Sequence, residues 1–352
     1  MQYKAYVDVV RQVRLVEQKF TNQLSDGRTH LDFRNQELTG WPAFEPWFAT
    51  IDLSYNQFRS LPVFLPAPKD YFRPSLLRLW AAHNRLRRIE EGDLPKTLVQ
   101  LDLSHNPLTE ICGLPPPLRH LILTNTELKS LCALPEALRT LSCSLAHLES
   151  LPPLPPTLVK LHLTDNKLTV LPQMPATLQE LCVGHNLLTT LPPLPEGLLS
   201  LEAHHNQLVS VGPLPSTLTY IRLHNNRLKG LGPLPPGLTA LYLCDNELTE
   251  IPASIVDCVH LEKLECRNNK LETLPPLPPM LHEAAYNGWN LRVEGNKIGF
   301  VPVYDRLLGD FVKFVEGHYN EHVARKRTHG KVDVFKDQMQ KIANFKSAGR
   351  YL

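Results

Sequence analysis

The chain has 352 residues, of which 32 are proline, and its formal net charge is +2. A charge this close to zero gives no bulk attraction to nucleic acid or to an anionic membrane surface, so neither is an expected partner. No run of about 18 apolar residues is present, and the first residues lack the apolar stretch of a secretory signal, which together predict a cytoplasmic protein without a membrane span.

Residues 3–24 predict an amphipathic helix that ends at Ser25–Gly27. Its apolar side is formed by Val7, Val10, Val13, Leu15, Val16 and Phe20. A stack of repeats exposes its first core layer to water unless another element covers that layer. We therefore expect residues 1–30 to be an N-terminal helical cap.

A pattern of twenty residues repeats without a gap through residues 101–240. Leucine or a close substitute fills positions 1, 3, 8, 11 and 18, asparagine usually fills position 6, and proline fills position 15. The copies begin at Leu101, Leu121, Leu141, Leu161, Leu181, Leu201 and Ile221. A fixed period of this length predicts a solenoid, because one copy cannot bury its apolar side without its neighbours.

Each copy is expected to contain a strand and an extended return path. Apolar positions 1 and 3 alternate with polar positions 2 and 4, which is strand periodicity, and the strands should form one parallel sheet with about 4.8 Å between copies. The proline at position 15 resists both helix and central strand, so the opposite side should be polyproline-like. This thin return path predicts a curved, right-handed superhelix with the sheet on its concave side.

The asparagine at position 6 is expected to turn inward and to satisfy main-chain groups of the next repeat, since a buried polar group needs partners. The predicted ladder consists of Asn56, Asn84, Asn106, Asn166, Asn186, Asn206, Asn226, Asn246, Asn269 and Asn296. The pattern fails at Gln36, Thr126 and Ala146.

The pattern extends beyond the regular block and gives thirteen copies over residues 31–302. The additional copies begin at Leu31, Ile51, Leu79, Leu241, Leu264 and Leu291. Residues 63–78 form an insertion, either a lengthened convex loop or a loop that contacts a partner. The copy from Leu241 is closer to the type of repeat that contains a helical turn. Residues 303–352 leave the pattern and have apolar side chains at helical spacing, which predicts a C-terminal helical cap.

The signature Leu-Pro-x-Leu-Pro-x-x-Leu-x-x-Leu, present at residues 151–161, resembles the LPX type of leucine-rich repeat bacterial effectors. This family includes YopM-like proteins, which consist of repeats only, and IpaH-type ubiquitin ligases. The resemblance implies a leucine-rich repeat solenoid that serves as a virulence effector in host–pathogen interaction. It also implies delivery into the host cell cytoplasm by a specialised secretion route.

Enzymatic activity is not expected. The ligase branch of the family carries a separate helical domain with a cysteine nucleophile, whereas here no cysteine follows Cys266 and only residues 303–352 follow the repeats. Glycine-rich phosphate loops and the HExxH and GxSxG motifs are not found. The seven cysteines include no CxxC pair and are expected to be reduced thiols. We therefore expect no catalytic residue, no cofactor and no metal ligand.

The predicted protein-binding surface is the concave side of the sheet, where positions 2, 4 and 20 point outward. Its candidate residues are Trp80, His162, Glu180, Glu202, His204, Tyr220, Arg222, His224, Tyr242, Glu265 and Arg267. Exposed Tyr, Trp and Arg side chains often dominate protein interfaces. A rigid sheet with its side chains already placed also favours binding, because association then imposes little additional order.

Two histidine pairs are expected from the repeat register. His204 should lie near His224 on the face, and His185 should lie near His205 at the rim, at position 5. Such pairs could bind a transition metal, form a pH-sensitive patch or simply belong to a neutral polar binding face. All three interpretations remain open at this point.

The sequence favours a non-enzymatic scaffold or effector that binds a partner protein, with a host signalling protein as the expected partner. The alternative is a substrate-recognition adaptor for a ubiquitin ligase or another enzyme, which it would dock through its terminal helices. The two hypotheses differ in whether the terminal segments have a partner of their own.

Overall fold

The computed structural model describes residues 21–23, 29–40, 48–64, 76–278, 280–281 and 290–298. The chain divides into two units, residues 1–301 and 302–352, and all described residues belong to the first. The predicted C-terminal cap, residues 1–20 and 24–28 of the predicted N-terminal cap and residues 65–75 of the insertion lie outside the described residues. Within the described part, no helix has the length and apolar character that a membrane crossing requires.

Short strands are the dominant element of the described chain. They are β1 Thr21–Gln23, β2 Thr29–Asp32, β3 Thr50–Asp52, β4 Arg78–Trp80, β5 Arg88–Ile89, β6 Gln100–Asp102, β7 Glu110–Ile111, β8 His120–Ile122, β9 Thr140–Ser142, β10 Lys160–His162, β11 Glu180–Cys182, β12 Ser200–Glu202, β13 Tyr220–Arg222, β14 Ala240–Tyr242, β15 Lys263–Glu265 and β16 Leu291–Arg292. Fourteen of them form one sheet in chain order, and β5 pairs with β7 in a second, two-stranded sheet.

The main sheet is parallel from β2 to β16, and its register follows the repeat. In the regular block, each strand of this sheet spans position 20 of one copy and positions 1 and 2 of the next, so that Leu161 is the Cα partner of Leu181, twenty residues later. Each of the thirteen predicted copies places its first residue in one of these strands. The predicted parallel solenoid is confirmed.

The first strand corrects the predicted helix at residues 3–24. Residues Thr21–Gln23 form β1, which runs antiparallel to β2 and pairs Thr21 with Leu31. Without it, β2 would present a row of unpaired N–H and C=O groups at the edge of the sheet. The prediction of helix was therefore wrong for these three residues, where the edge of the sheet is closed by another strand.

The leucines form one continuous core. In the copy that begins at Leu161, the side chains of Leu161, Leu163 and Leu168 have 0% of their surface exposed, as does Leu158 at position 18 of the preceding copy. Position 11 is less uniform, since Ile111 is buried whereas Leu151 is only half-buried. Truncation of one fully buried leucine to alanine typically costs about 2–5 kcal/mol, so these positions carry much of the stability.

The return path is largely irregular backbone that proline helps to turn. The N–H of position 18 donates to the carbonyl of the proline at position 15, as between Leu178 and Pro175 at 3.1 Å. One copy differs, since residues Ala253–Asp257 form a 3₁₀-helix with Ile255 buried. The helical turn predicted for the copy from Leu241 is therefore confirmed.

The asparagine ladder joins each repeat to the one before it. Asn186 donates from Nδ2 to the carbonyls of Leu163, Val183 and Gly184 at 2.9, 3.1 and 3.1 Å, and its Oδ1 accepts the N–H of Leu168 at 3.0 Å. The ladder is confirmed, but the expected partner was wrong: the neighbour that it satisfies is the preceding repeat. Wherever position 6 is asparagine, the interface with the preceding repeat therefore receives one asparagine from its C-terminal side.

The ladder is interrupted where the sequence indicates. Thr126 is buried and donates its hydroxyl to the Leu123 carbonyl at 3.0 Å, which replaces only one of the ladder bonds. The N–H of Leu108, which an asparagine at position 126 would bond, donates to the Asn106 carbonyl at 2.7 Å. Ala146, 5% exposed, brings no polar group to the next interface.

Position 5 has a left-handed backbone that the sequence analysis did not anticipate. Its non-glycine residues have φ between 51° and 59°, and they are Asn35, Tyr55, His83, His105, Asn125, Leu145, Asp165, His185, His205, Asn225, Asp245 and Asn268. Asn, Asp and His are the side chains most often found in this conformation. The composition of position 5 is thus a consequence of how the chain leaves each strand.

Replacement of Asn186 by alanine should destabilise the chain. The substitution leaves buried carbonyls and one buried N–H without a partner, at an expected cost of about 2–4 kcal/mol in the free energy of unfolding. Urea denaturation followed by circular dichroism would measure it. An unchanged denaturation midpoint would show that the ladder does not stabilise the interface between repeats.

The opposite substitution at a gap in the ladder is the matched control. Ala146→Asn restores an amide at position 6, and we expect the free energy of unfolding to rise by about 1 kcal/mol. A decrease would mean that the local backbone has adapted to the missing asparagine and does not admit it.

Candidate functional site

The candidate residues share one side of the sheet, opposite the core, which we call the outer face. Strand residues at positions 20 and 2 are only partly covered, while position 1 between them is fully buried, as for Glu180 and Cys182 on either side of Leu181. Every predicted face residue is half-buried except His204, which is 9% exposed. His204 is thus more buried than predicted for a residue that points outward, and the role of all these residues in binding remains a prediction.

Tyr220, Arg222 and Tyr242 form what we call the tyrosine cluster. Strand pairing makes Arg222 and Tyr242 Cα partners. The two tyrosine rings lie 5.7 Å apart, and the Arg222 guanidinium carbon lies 5.8 Å from the Tyr220 ring centre and 5.3 Å from that of Tyr242. These distances are within the range of cation–π contact, so the three side chains order one another.

Carboxylates hold the cations of this region in place. Arg222 Nη1 lies 3.0 Å from Glu202 Oε2, and Lys263 Nζ lies 3.0 Å from Glu265 Oε1 and 5.1 Å from the Tyr242 ring centre. Burial raises the pKa of Tyr220 to about 12, so its hydroxyl stays protonated and can donate a hydrogen bond. The patch therefore offers aromatic surface together with fixed positive and negative groups.

Arg267 also reaches this region, with Nη2 3.8 Å from Glu265 Oε2, but Glu180, His162 and Trp80 have their contacts elsewhere on the sheet. Glu180 lies 2.6 Å from Lys160 Nζ and 3.4 Å from His162 Nε2, farther along the sheet. Burial opposes ionisation of Glu180, but Lys160 and His162 outweigh it and hold the pKa of the carboxyl below its ordinary value. Trp80 lies on β4, where its ring contacts His30 edge-on at 6.0 Å.

Four imidazoles form a second group, the histidine cluster, made of His185, His204, His205 and His224. His185 stacks on His205 with ring centres 4.0 Å apart, and His204 stacks on His224 at 4.7 Å. Both predicted pairs are confirmed. His185 also meets the edge of His204 at 5.1 Å, so the two pairs form one group, which the sequence analysis did not predict.

His204 occupies an unusual position within the histidine cluster. Among the described residues, its buried Nδ1 has no hydrogen-bond partner. Gly184 makes room for the ring, because a Cβ at that residue would lie 2.5 Å from one carbon and 2.6 Å from Nε2 of the imidazole. The glycine at position 4 of one repeat therefore admits the histidine at position 4 of the next.

The environment disfavours positive charge on these rings. Burial, together with His224 and the other neighbouring histidines, lowers the pKa of His204 to about 3. Burial, together with His205 and Arg222, lowers the pKa of His224 to about 4, although Asp245 and Glu265 act in the opposite direction. His204 and His224 are therefore neutral near pH 7.

Burial makes most of the described thiols poor nucleophiles. All seven cysteines are free, and four of them are buried. Desolvation raises the pKa of Cys143, Cys182 and Cys266 to about 12 and that of Cys258 to about 11. Because the thiolate is the reactive form, these side chains stay protonated and unreactive at neutral pH.

Comparison with protein families identifies the repeats. Residues 236–279 match a family model described as Leucine Rich repeats (2 copies), and residues 97–121 match one described as Leucine Rich Repeat. No curated protein matches the chain by sequence. The chain therefore contains leucine-rich repeats, in agreement with its parallel solenoid.

Several solved structures are similar to this chain. YopM from Yersinia pestis, a leucine-rich effector protein, has 26% identity and a TM-score of 0.59, with 78% of this chain and 85% of that chain covered. A Shigella effector LRR domain has 31% identity and a TM-score of 0.35, covering 49% of this chain and 76% of that one. A chain of the Drosophila Toll–Spatzle complex has 21% identity and a TM-score of 0.56, covering 72% and 38%.

Stability should fall as the pH drops from 7 to 5.5. The folded-state pKa of His204 and His224 lies below the ordinary value of 6.5, so the unfolded chain binds more protons in this window. We expect the pair to contribute a loss of about 1–2 kcal/mol in the free energy of unfolding over that range. Urea titrations at pH 7, 6.2 and 5.5 would measure it.

The double variant H204N/H224N should flatten this pH dependence, because asparagine does not titrate. The matched control is His147→Asn, which alters an exposed histidine and should keep the original slope. Equal slopes in the unmodified chain and the double variant would contradict the prediction.

Proposed function

We propose that this chain is a non-enzymatic repeat protein that binds a partner protein through the outer face, with the tyrosine cluster at the centre of contact. The observation that carries the proposal is the half-buried arrangement of Tyr220, Arg222 and Tyr242, with Arg222 within 6 Å of both rings. Tyr and Arg are enriched among the residues that dominate interface energetics.

Preordering is the physical reason to place binding here. Ordering a long side chain on association costs about 0.5–1.5 kcal/mol. Arg222 is already held by Glu202 at 3.0 Å, and Lys263 by Glu265 at 3.0 Å. A partner that covers these side chains therefore loses less entropy than it would on a surface of free lysines and arginines.

The partner that we propose is a signalling protein of a host cell, reached after delivery of this chain into the host cytoplasm as a bacterial effector. The likeness to YopM of Yersinia pestis, at 26% identity and a TM-score of 0.59, supports this proposal. So does the Leu-Pro signature at residues 151–161. The same fold also occurs in the Toll–Spatzle complex.

The state of the thiols supports a role without catalysis. A cysteine enzyme needs a thiolate, whereas burial raises the pKa of Cys182, on the outer face, to about 12. Cys244 precedes Asp245 in the sequence, but its thiol is also buried and its pKa is raised, first of all by desolvation. We therefore propose that the chain acts by contact, as a scaffold or by sequestration.

The triple variant Y220A/R222A/Y242A should lose partner capture, because it removes the aromatic and cationic surface at the centre of the proposed contact. Pulldown from eukaryotic cytosol, with the captured proteins quantified by mass spectrometry, is the measurement. We expect at least a ten-fold reduction of the specific partner. Since these side chains are only half-buried, the melting temperature should change by no more than a few degrees.

The matched control is H120A/I122A/S142A, which alters the same three positions of the repeat five copies earlier. It should retain capture. Undiminished capture by the tyrosine-cluster variant would refute the proposed site. If capture instead disappeared on removal of residues 303–352 while the triple variant retained it, the adaptor hypothesis would be favoured.

A further inference from the structure

We propose that His185, His204 and His205 form a Zn²⁺-binding site on the outer face, with one imidazole nitrogen of each residue as a ligand. The proposal does not rest on the proposed partner binding, since none of the three ligands belongs to the tyrosine cluster. A possible ligand nitrogen of each of the three rings lies within 4.8 Å of those of the other two.

The spacing requires only small side-chain movements. In a tetrahedral zinc site with Zn–N bonds of about 2.0–2.1 Å, the ligand nitrogens are about 3.3 Å apart. The three possible ligand nitrogens now lie at most 4.8 Å from one another. Each pair of nitrogens must therefore approach by about 1.5 Å or less when zinc binds. Rotation about the side-chain torsions supplies a shift of this size without backbone movement.

The backbone that carries the ligands is already fixed. The His185 N–H donates to the His204 carbonyl at 2.9 Å, and the His205 N–H donates to the His224 carbonyl at 2.9 Å. His185 and His205 also share the left-handed conformation of position 5, with φ of 51° in both. Metal binding would thus order side chains on a scaffold whose main chain is held by the repeat.

The unpartnered Nδ1 of His204 is the observation that favours a bound ligand. Buried polar atoms without a partner are rare, and each calls for an explanation. Glu202 Oε2 lies 3.9 Å from Nε2 of the same ring, which favours the tautomer with its proton on Nε2 and leaves the lone pair on Nδ1. A bound cation would satisfy this nitrogen.

An acidic group and an amide lie beside two of the rings, and metal-bound histidines usually have such polar neighbours. Asp165 Oδ1 lies 3.8 Å from His185 Nδ1, and the Asn225 amide lies 3.3 Å from His205 Nε2. A carboxylate placed like Asp165 orients its ring and raises the basicity of the other ring nitrogen, whereas the Asn225 NH2 group donates to His205 Nε2 and only fixes the orientation of that ring. Each of the three rings therefore has a polar neighbour beside it.

The donor set selects the class of metal. Three imidazoles suit Zn²⁺, Ni²⁺ or Cu²⁺, whereas Ca²⁺ and Mg²⁺ require oxygen ligands. Three protein ligands also leave the fourth tetrahedral position of zinc to a water molecule. Zn²⁺ is the ion that we assign and the probe for the test.

A second stacked histidine pair in this chain lacks the third ligand and serves as a comparison. His83 and His105 occupy position 5 in adjacent copies and stack at 4.0 Å with an angle of 8°, like His185 and His205 at 4.0 Å and 13°. Position 4 beside that pair is Ser104, where the histidine cluster has His204. A stacked pair alone offers two ligands, and the third ring is what distinguishes the proposed site.

Competition titration of the full chain with Zn²⁺ against a chromophoric chelator tests the site. We expect H204N and H185N each to weaken binding at least ten-fold, and the control H83N/H105N to leave it unchanged. Because free thiols also bind zinc, X-ray absorption of the zinc-loaded chain should show nitrogen ligands without sulfur. Circular dichroism would confirm that each variant is folded.

Transfer of the third ligand is the complementary test. In A82G/S104H the pair His83 and His105 gains a third imidazole and the glycine that makes room for it, so a second Zn²⁺ should bind. A second binding equivalent would support the proposal. Zinc affinity that is equal in H204N and the unmodified chain, or sulfur ligation in the loaded protein, would overturn it.

Discussion

Burial of leucine in this chain depends on contact between neighbouring repeats, because a single repeat has no second layer to cover its apolar side. Leu161 and Leu181 are Cα partners in adjacent strands, and neither has exposed surface. This requirement sets the register of the sheet. The register in turn brings side chains at the same repeat position next to each other, so that similar residues in successive copies become a cluster. The neighbours Arg222 and Tyr242 and the two stacked histidine pairs arise in this way.

The periodic part of the fold could be predicted because the period itself determines the pairing. Leu101 and Leu121 occupy the same position, and the structure pairs them directly. The ends could not be predicted in the same way. Residues Thr21–Gln23 pair with the first repeat as an antiparallel strand because the sheet needs an edge partner, and that need leaves no periodic signal in the sequence.

The candidate site, too, could be predicted only in part from the sequence. Which residues share the outer face follows from strand alternation, and the pairs His204–His224 and His185–His205 follow from the register. The contact of His185 with His204 depends on side-chain packing over Gly184. A twenty-residue sequence pattern does not predict such a contact. The shifted pKa values also depend on burial, which the sequence indicates only in part.

Two different constraints meet in the histidine cluster. His185 and His205 occupy a left-handed backbone position where Asn, Asp and His are favoured, and His83 and His105 do so as well, so stacked imidazoles at position 5 need no functional explanation. Position 4 does not have the left-handed backbone, so the backbone does not favour histidine there. There His204 is buried, its Nδ1 has no partner among the described residues, and its ring fits only because residue 184 is glycine. Since a buried, unpaired nitrogen costs stability, His204 is the residue of this cluster whose presence the fold does not account for.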